Sequence, residues 1–430
     1  MAPNPFDRRL AWVPLLGALL LVAGACRRSS GSPSPLASTA TPGDADRPLF
    51  DRPIRLPPLP SSPPTPGPVS VPKPIPNPLV SRGKPVFAHA LAKYSKAEAL
   101  VDGQFKTYSG SWPAGTPTAK EPAWAAIKVG KGFKKLLLVW SEGGSYNFNE
   151  TTYGAPADYR IDVSADSTDG EDGSWKTVAS VTANKFHARE HAFDFDGQSW
   201  VKMVLLKAPE NSPNGLSLQE IELFDLSGGG TDSWFFMGDS ITAGSFDRES
   251  TKHQPSYAEL VHAEHPKFFP AMICGGIGGE NSKNGLDHLD EWLAVAPDFK
   301  YWAIGYGTND AAGNTSDSGP FERNMSTIAE RVLAAGRIPI FARIPFAADD
   351  QHQHLPAFNE ALERVIKKHG LAQGPDLYTW FQKHPEQLAD KLHPGEVQAD
   401  AKADKNASPP NGIIEVNRLW WEATRWLYLP

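Results

Sequence analysis

The sequence predicts two folded domains: an all-β sandwich over residues 84–227, then an α/β domain over residues 231–430. The first is indicated by short apolar runs separated by Gly, Asp, Ser and Asn turns, with no helical stripe of comparable strength between them. The second is indicated by apolar runs that alternate with amphipathic segments of helical length, which is typical of a parallel sheet with helices on both faces. A Gly-Gly-Gly-Thr hinge at residues 228–231 separates the two patterns.

Residues 1–25 have the pattern of a signal peptide. Two arginines precede a nearly continuous apolar run over residues 10–25, which ends in small residues, and the protein is therefore expected to be exported. The stretch 20–26 resembles the lipobox of bacterial lipoproteins. This resemblance implies a lipid on Cys26 that anchors the chain to a membrane at the outer or cell surface. Ala23 stands where that motif usually has leucine, so cleavage that leaves an unlipidated periplasmic or secreted protein is the alternative.

Residues 26–83 are predicted to form a disordered linker. The segment is dense in Pro, Ser and Thr, a composition that favours extended polyproline II and cannot bury a core. At ~3.1 Å per residue, such a linker would hold the rest of the protein about 150 Å or more from an anchor.

The net charge and the number of cysteines limit the partners and the disulfide bonds that can be expected. The net charge is -7 and there is no long basic run, whereas nucleic-acid binding needs clustered Lys and Arg, so no nucleic-acid partner is expected. Besides Cys26, the chain has one cysteine, Cys274. Lipidation of Cys26 would therefore leave no intrachain disulfide.

The predicted strands of the first domain are residues 136–140, 159–163, 175–178, 201–205 and 221–224. Residues 99–103, 122–127, the run that ends in Trp140, residues 159–164 followed by Trp175, and residues 218–225 resemble, in this order, a discoidin (coagulation factor 5/8 type C) module. The resemblance implies a galactose-binding-like jelly-roll fold with carbohydrate-binding loops at one end, and a structural calcium ion at carboxylates matching Asp102 and Glu220. Asp102-Gly103 is equally a plain turn dipeptide.

The aromatic residues of this domain are expected to lie mostly in its core. Trp112, Tyr146 and Tyr153 occur in turn-rich stretches and are the candidates for stacking on sugar rings. The alternative to sugar binding is a purely structural role, in which the sandwich packs on the next domain.

The second domain has four predicted strands and four predicted helices. The strands are residues 234–237, 269–274, 300–305 and 338–342, and the helices are residues 257–265, 285–295, 321–335 and 357–369. In parallel sheets of this kind, sites form beyond the carboxyl ends of the strands. Four polar motifs are therefore expected at one rim: Gly238-Asp239-Ser240, 275–281, 305–310 and 390–394.

The motifs supply the groups that ester cleavage requires. Such a reaction needs a hydroxyl, a base beside it, a carboxylate that fixes the tautomer of the imidazole, and donors for the developing oxyanion. Asp390 and His393 lie three apart on a tight turn, so their side chains can meet and leave the other imidazole nitrogen for Ser240. The glycine-rich second motif lacks the dinucleotide-binding and P-loop patterns, and no G-x-S-x-G motif occurs.

In this order the four motifs resemble those of the SGNH (GDSL) hydrolases, from residue 234 to the C-terminus. The resemblance implies a three-layer α/β fold, Ser240 as nucleophile, His393 as base and Asp390 as its orienting carboxylate. It also implies an oxyanion hole formed by the Ser240 N–H, the Gly279 N–H and the Asn309 amide. Gly276 is the alternative for the glycine donor, and catalysis needs no cofactor.

These expectations combine into one function with two alternatives. A sugar-binding type of module joined to an SGNH domain resembles polysaccharide deacetylases, which implies small acyl esters, O-acetyl first, on a glycan. The first alternative is a lipid esterase of lysophospholipase type. The second is a glycan-binding surface lipoprotein whose hydrolase domain has lost its activity.

Overall fold

The computed structural model describes residues 71–91, 95–103, 112, 115–141, 155–209, 216, 218–246, 255–395 and 412–429. The predicted signal peptide, Cys26 and most of the predicted linker lie outside the described residues, as do Tyr146 and Tyr153. Within these ranges, no helix combines the length and the apolar character that crossing a membrane requires.

The predicted all-β domain is confirmed as a sandwich of two antiparallel sheets. One sheet has the strand order β1-β2-β7-β4-β5 and the other has the order β6-β3-β8. The strands are β1 Val86–Ala88, β2 Ala123–Lys128, β3 Lys135–Ser141, β4 Asp158–Ser164, β5 Lys176–Val181, β6 Ala188–Asp194, β7 Trp200–Lys207 and β8 Glu220–Asp225.

The position of strand β3 between two hydrophobic cores explains its continuous apolar sequence. Leu136, Leu138 and Trp140 point into the core between the two sheets. Leu137 and Val139, on the opposite face, belong to the core of the α/β domain. Because successive side chains of a strand face opposite sides and both faces of this strand are buried, every position from Leu136 to Trp140 is apolar.

The α/β domain has the predicted parallel sheet, with the strand order β10-β9-β11-β12-β13. Its strands are β9 Ser233–Gly238, β10 Ala271–Gly276, β11 Tyr301–Gly305, β12 Ile338–Arg343 and β13 Ala372–Asp376. Its helices are α1 Ser240–Phe246, α2 Tyr257–Glu264, α3 Ser282–Val295, α4 Gly319–Ala334, α5 Leu355–His369, α6 Leu377–Lys383 and α7 Gly412–Thr424. Strand β9 lies between β10 and β11, so the loops after these three strands share one rim.

The two folded domains pack directly against each other. Phe186, before β6, lies with its ring centroid 6.0 Å from that of Trp292 in α3. Lys185 Nζ lies 2.5 Å from Glu291 Oε1 on the same helix. The buried carboxylate of Glu190 accepts a hydrogen bond from the backbone N–H of Asp298, just before β11. The sandwich is therefore held along α3 and at the amino end of the parallel sheet.

Residues 71–83, which the sequence assigned to the linker, pack against both folded domains. The N–H of Val80 donates to the Leu223 carbonyl, and the N–H of Asp225 donates to the Pro78 carbonyl. On the other side, Tyr301 Oη donates to the carbonyl of Pro72. The prediction of disorder fails for these residues, because an extended proline-rich strand keeps free carbonyls that a folded neighbour can bind.

Candidate active site

Ser240 lies where strand β9 passes into helix α1. Strand β9 ends at Gly238, and α1 begins at Ser240. The Asp239 carboxylate accepts a hydrogen bond from the Ile241 N–H at 2.9 Å, which satisfies a free donor of the first helical turn. A Cβ at Gly238 would lie 2.2 Å from Thr242 Oγ1, so only glycine lets the helix start this close to the strand. The nucleophile candidate is therefore fixed by backbone on both sides.

Three side chains form a continuous hydrogen-bonded chain at this rim. Ser240 Oγ lies 2.9 Å from His393 Nε2, and His393 Nδ1 lies 2.8 Å from Asp390 Oδ2. The other oxygen of Asp390 accepts the His393 backbone N–H at 2.7 Å. The carboxylate thus fixes the position of the imidazole, and its bond to Nδ1 favours the tautomer whose Nε2 can take a proton from serine.

The turn that carries the histidine is tightly closed. The N–H of Ala389 donates to the His393 carbonyl, and Lys391 adopts a left-handed conformation with φ 72°. Partial burial alone would raise the pKa of Asp390, but hydrogen bonds from the His393 backbone and imidazole and from the Leu392 N–H lower it. The carboxylate therefore stays ionised, as a partner of an imidazolium must.

The glycine-rich loop after β10 passes beside the serine. A Cβ at Gly278 would lie 4.0 Å from Ser240 Cβ, and Gly279 follows with φ 79°. Gly276, the alternative donor, is the last residue of β10, and a Cβ there would lie 2.2 Å from the Ala243 nitrogen. Gly276 thus permits close packing of α1, whereas Gly279 lies in the loop itself.

The loop after β11 is tied to the glycine-rich loop. Asn309 Nδ2 donates to the Glu280 carbonyl at 2.8 Å. The Asp310 carboxylate accepts the backbone N–H of Ser282 at 2.9 Å and also its hydroxyl. The structure therefore brings Asn309 and Gly279, two of the predicted oxyanion donors, to adjoining loops beside Ser240.

Buried carboxyl groups lie beneath this rim. Burial raises the pKa of Asp239 to about 6 and that of Glu280 to about 7. Burial also raises the pKa of Asp310. The sequence motifs contain all three residues, but only the fold shows that these carboxyl groups are buried and that their pKa values are therefore raised.

A comparison with known protein families matches the part of the chain that carries Ser240, His393 and Asp390. Residues 236–399 match the model of the GDSL-like Lipase/Acylhydrolase family. These residues form a GDSL-like lipase/acylhydrolase domain. The chain therefore carries an ester-hydrolase domain, which contains Ser240, Asn309, Asp390 and His393. A comparison with curated proteins finds no match.

Solved structures similar to parts of the chain include three of particular interest. A lipase/acylhydrolase from Enterococcus faecalis is 21% identical, with a TM-score of 0.36, over 46% of this chain and 96% of that chain. An acetylxylan esterase from Geobacillus stearothermophilus is 17% identical, with a TM-score of 0.35, over 46% of this chain and 96% of that chain. A chitosan-binding module from a Paenibacillus sp. IK-5 chitosanase/glucanase is 20% identical, with a TM-score of 0.25, over 34% of this chain and 97% of that chain.

The structure does not support Trp112 as a sugar contact. Its side chain is fully buried, and its indole N–H donates to the His89 carbonyl at 2.7 Å. The residue pairs with Leu218 in an isolated β-bridge, which places it in the sandwich core despite its turn-rich surroundings. Tyr146 and Tyr153 lie outside the described residues and stay predictions.

The predicted calcium ligands do not assemble a metal site from described side chains. Both carboxylate oxygens of the buried Glu220 accept the backbone N–H of Gly103, at 3.0 and 3.1 Å. Asp102, the residue before, is exposed at the end of a short 3-10 helix. No group of three or more His, Cys, Asp or Glu that could hold a metal ion occurs among the described residues. For these residues the plain turn interpretation accounts for the contacts, since Glu220 caps the Asp102-Gly103 turn.

The sequence did not single out Glu280 and Ser282 as members of the site. Glu280 provides the carbonyl that accepts the hydrogen bond from Asn309, and Ser282 donates two hydrogen bonds to Asp310. The available signal was the position of both residues, directly after the predicted glycine donor and at the start of a helix. Asn281, between them, caps α3 by accepting the N–H groups of Lys283 and Asn284.

Proposed function

We propose that this protein is an exported serine esterase that removes small acyl groups, O-acetyl first, from a polysaccharide. The observation that carries the serine-esterase part is the chain of contacts from Ser240 through His393 to Asp390. It joins a nucleophile, a base and an orienting carboxylate within hydrogen-bonding distance.

The geometry supports an acyl-enzyme mechanism. Ser240 Oγ attacks the ester carbonyl carbon, and its proton moves to His393 Nε2. The resulting oxyanion accepts hydrogen bonds from the Ser240 and Gly279 N–H groups and the Asn309 amide. The intermediate then breaks the bond to the sugar oxygen, which takes the proton from His393. Water attacks the acyl-serine in the same way and releases the free acid together with the regenerated serine.

A small acyl group is supported by the shape of the rim. The side chains of His393 and Asp390 are 39% and 59% exposed. An open site of this kind suits a short acyl group that projects from a large molecule.

A polysaccharide substrate is supported by the way the sandwich is attached. Its Lys185 and Phe186 contact Glu291 and Trp292 on α3, the helix that begins directly after the Gly279 loop. Trp292 lies ten residues from the start of that helix, about 15 Å at 1.5 Å per residue. A polymer bound at the edge of the sandwich that contacts α3 would therefore need only a few sugar units to reach the serine.

Acyl specificity and acetate release test the proposal. We expect cleavage of p-nitrophenyl acetate and release of acetate from O-acetylated plant or cell-wall glycans, both reduced by several orders of magnitude in Ser240→Ala. Equal rates for the variant and the wild type would exclude the esterase. Faster cleavage of p-nitrophenyl octanoate than of the acetate would favour a lipid substrate. Cleavage of p-nitrophenyl acetate without acetate release from any glycan would contradict the proposal that the substrate is a polysaccharide.

The export part of the proposal rests on the N-terminal sequence. A lipid on Cys26 would anchor the enzyme at a membrane and leave the proline-rich segment as a tether towards insoluble glycan. We expect the full chain expressed in a bacterium to enter the detergent phase, and Cys26→Ser to remain aqueous. A wild-type chain that stays aqueous would exclude the anchor and leave a periplasmic or secreted enzyme.

A further inference from the structure

The peptide segment at Glu280 joins the two predicted oxyanion donors that lie outside the serine itself. The Glu280 nitrogen is bonded to Gly279, and the Glu280 carbonyl accepts Asn309 Nδ2 at 2.8 Å. A side-chain amide has two N–H groups, so this bond fixes the plane of the Asn309 amide and leaves its second N–H for the oxyanion. Any movement of Glu280 would shift both donors together.

The side chain of Glu280 is held in a buried setting that the proposed mechanism does not use. Its carboxyl is only 5% exposed and lies 3.1 Å from His288 Nε2 on α3. Its other oxygen lies 3.5 Å from Tyr306 Oη, on the loop after β11. The carboxyl group thus links the loop that carries Gly279 to the helix that follows it and to the loop that carries Asn309.

The site around Tyr306 is shaped to receive that phenol. A Cβ at Gly285 would lie 2.5 Å from the Tyr306 ring, so the ring rests directly on the backbone of α3. Tyr306 is itself fully buried, and nothing larger than glycine fits opposite it. A phenol packed this closely gives the Glu280 carboxyl a fixed partner rather than a mobile one.

Burial of this carboxyl has an energetic cost, visible in its pKa of about 7. A buried acid in a core is destabilising unless its hydrogen bonds offset the lost hydration, and an amide or apolar group would avoid the cost. Perturbed acids of this kind concentrate at functional sites. The surroundings of Glu280 fit that pattern, because they adjoin the oxyanion donors and not a remote part of the core.

We propose that Glu280 is a positioning residue of the oxyanion hole: its buried carboxyl, which lies against Tyr306 and His288, fixes the peptide that orients Asn309 and Gly279. This inference rests on the proposed esterase function. It assigns no contact between the carboxyl and the substrate.

Steady-state kinetics on p-nitrophenyl acetate test the proposal with Glu280→Ala and Glu280→Gln. For Glu280→Ala we expect kcat to fall about 10- to 100-fold with KM within about twofold, because the oxyanion forms only in the transition state. Glu280→Gln keeps the size of the side chain and an oxygen that can accept from Tyr306 Oη, and should recover kcat to within about threefold of the wild type. An unchanged kcat in Glu280→Ala, or a Glu280→Gln variant as slow as Glu280→Ala, would overturn the proposal.

Two further variants keep the test decisive if Glu280→Ala does not fold. Tyr306→Phe removes only the hydroxyl that contacts the carboxyl and should lower kcat in the same direction with KM unchanged; a wild-type kcat in this variant would count against the proposal. In an Asn309→Ala background, Glu280→Gln and Tyr306→Phe should cost much less than they do alone, because the amide they position is gone. If the effects on kcat were fully additive with that of Asn309→Ala, Glu280 would not act through the Asn309 amide.

Failure of this inference is distinguishable from failure of the proposed function. A wild-type protein without activity on p-nitrophenyl acetate would exclude the esterase. An active wild type, with inactive Ser240→Ala and a fully active Glu280→Ala, would exclude only the positioning role. A boronic acid that forms a tetrahedral adduct with Ser240 gives an independent measurement. Its affinity for the variants should fall in proportion to kcat/KM.

Discussion

Replacement of Asp232 by asparagine should make the stability of the hydrolase domain less dependent on pH. Asp232 immediately precedes β9 and is fully buried. One of its oxygens accepts hydrogen bonds from Tyr428 Oη at 2.8 Å and Trp234 Nε1 at 3.2 Å. Burial raises the pKa of Asp232 from 3.8 to about 7, although these two bonds lower it in part.

The size and sign of the effect follow from that pKa. The unfolded chain ionises near pH 3.8, whereas the folded protein holds the acid neutral until about pH 7. Below the unfolded pKa, Asp232 is neutral in both states, and its contribution to the free energy of unfolding is fully present. As the pH rises towards the folded pKa, only the unfolded chain ionises, so that contribution is lost. At about 1.4 kcal/mol per pH unit, the whole loss is about 4 kcal/mol, and the part between about pH 5 and pH 8 is roughly 3 kcal/mol.

Urea unfolding of the wild type and Asp232→Asn at about pH 5 and pH 8 measures this loss. Asparagine has the same shape and keeps an acceptor oxygen for Tyr428 and Trp234, but it cannot ionise. The advantage of the wild type over the variant should therefore shrink or reverse by roughly 3 kcal/mol between the two pH values. Other buried acids titrate in both proteins and cancel in the comparison. A difference that stays constant within about 0.5 kcal/mol would refute the reasoning.

Three further predictions concern the rim of the sheet. Asp390→Asn should lower kcat on p-nitrophenyl acetate about 10⁴-fold, because an amide at this position favours the wrong tautomer of His393; a loss below about tenfold would contradict the assigned role. Asn309→Ala should lower kcat about 10²- to 10³-fold with little change in KM, which steady-state kinetics would show. Gly276→Ala should destabilise the domain by about 1–3 kcal/mol, because its methyl group would lie 2.2 Å from the Ala243 nitrogen, and a melting temperature equal to that of the wild type would contradict this.

The sequence was informative about the rim for a physical reason. In a parallel sheet, each strand delivers the residues after it to the same edge, so Ser240, Gly279 and Asn309 were expected together although they are far apart in the chain. The structure places Gly279 and Asn309 on adjoining loops beside Ser240, the first residue of α1, which contacts His393. Strand periodicity and helix length were enough for that inference.

Other features depend on contacts that no local pattern records. Strand β13 was missed because its sequence, Ala-Gln-Gly-Pro-Asp, has none of the apolar residues that mark a strand, and it forms at the edge by pairing with β12. Trp112 has the surroundings of a loop residue, yet one bridge to Leu218 places it in the core. Residues 71–83 have the composition of a linker, and their described hydrogen bonds go mainly to partners distant in sequence.

Glu280 shows how such contacts give a residue a role. The Gly-Gly-Glu-Asn sequence is compatible with a solvated turn, and only α3 and Tyr306 enclose the carboxyl. Enclosure raises its pKa to about 7 and that of the neighbouring Asp239 to about 6. Near neutral pH, Glu280 therefore keeps its proton in about half of the molecules, whereas Asp239 is mostly ionised. Each proton that Glu280 keeps removes a negative charge close to the place where the oxyanion forms. Because like charges repel most strongly where water is excluded, a neutral Glu280 favours that oxyanion more than an ionised one would.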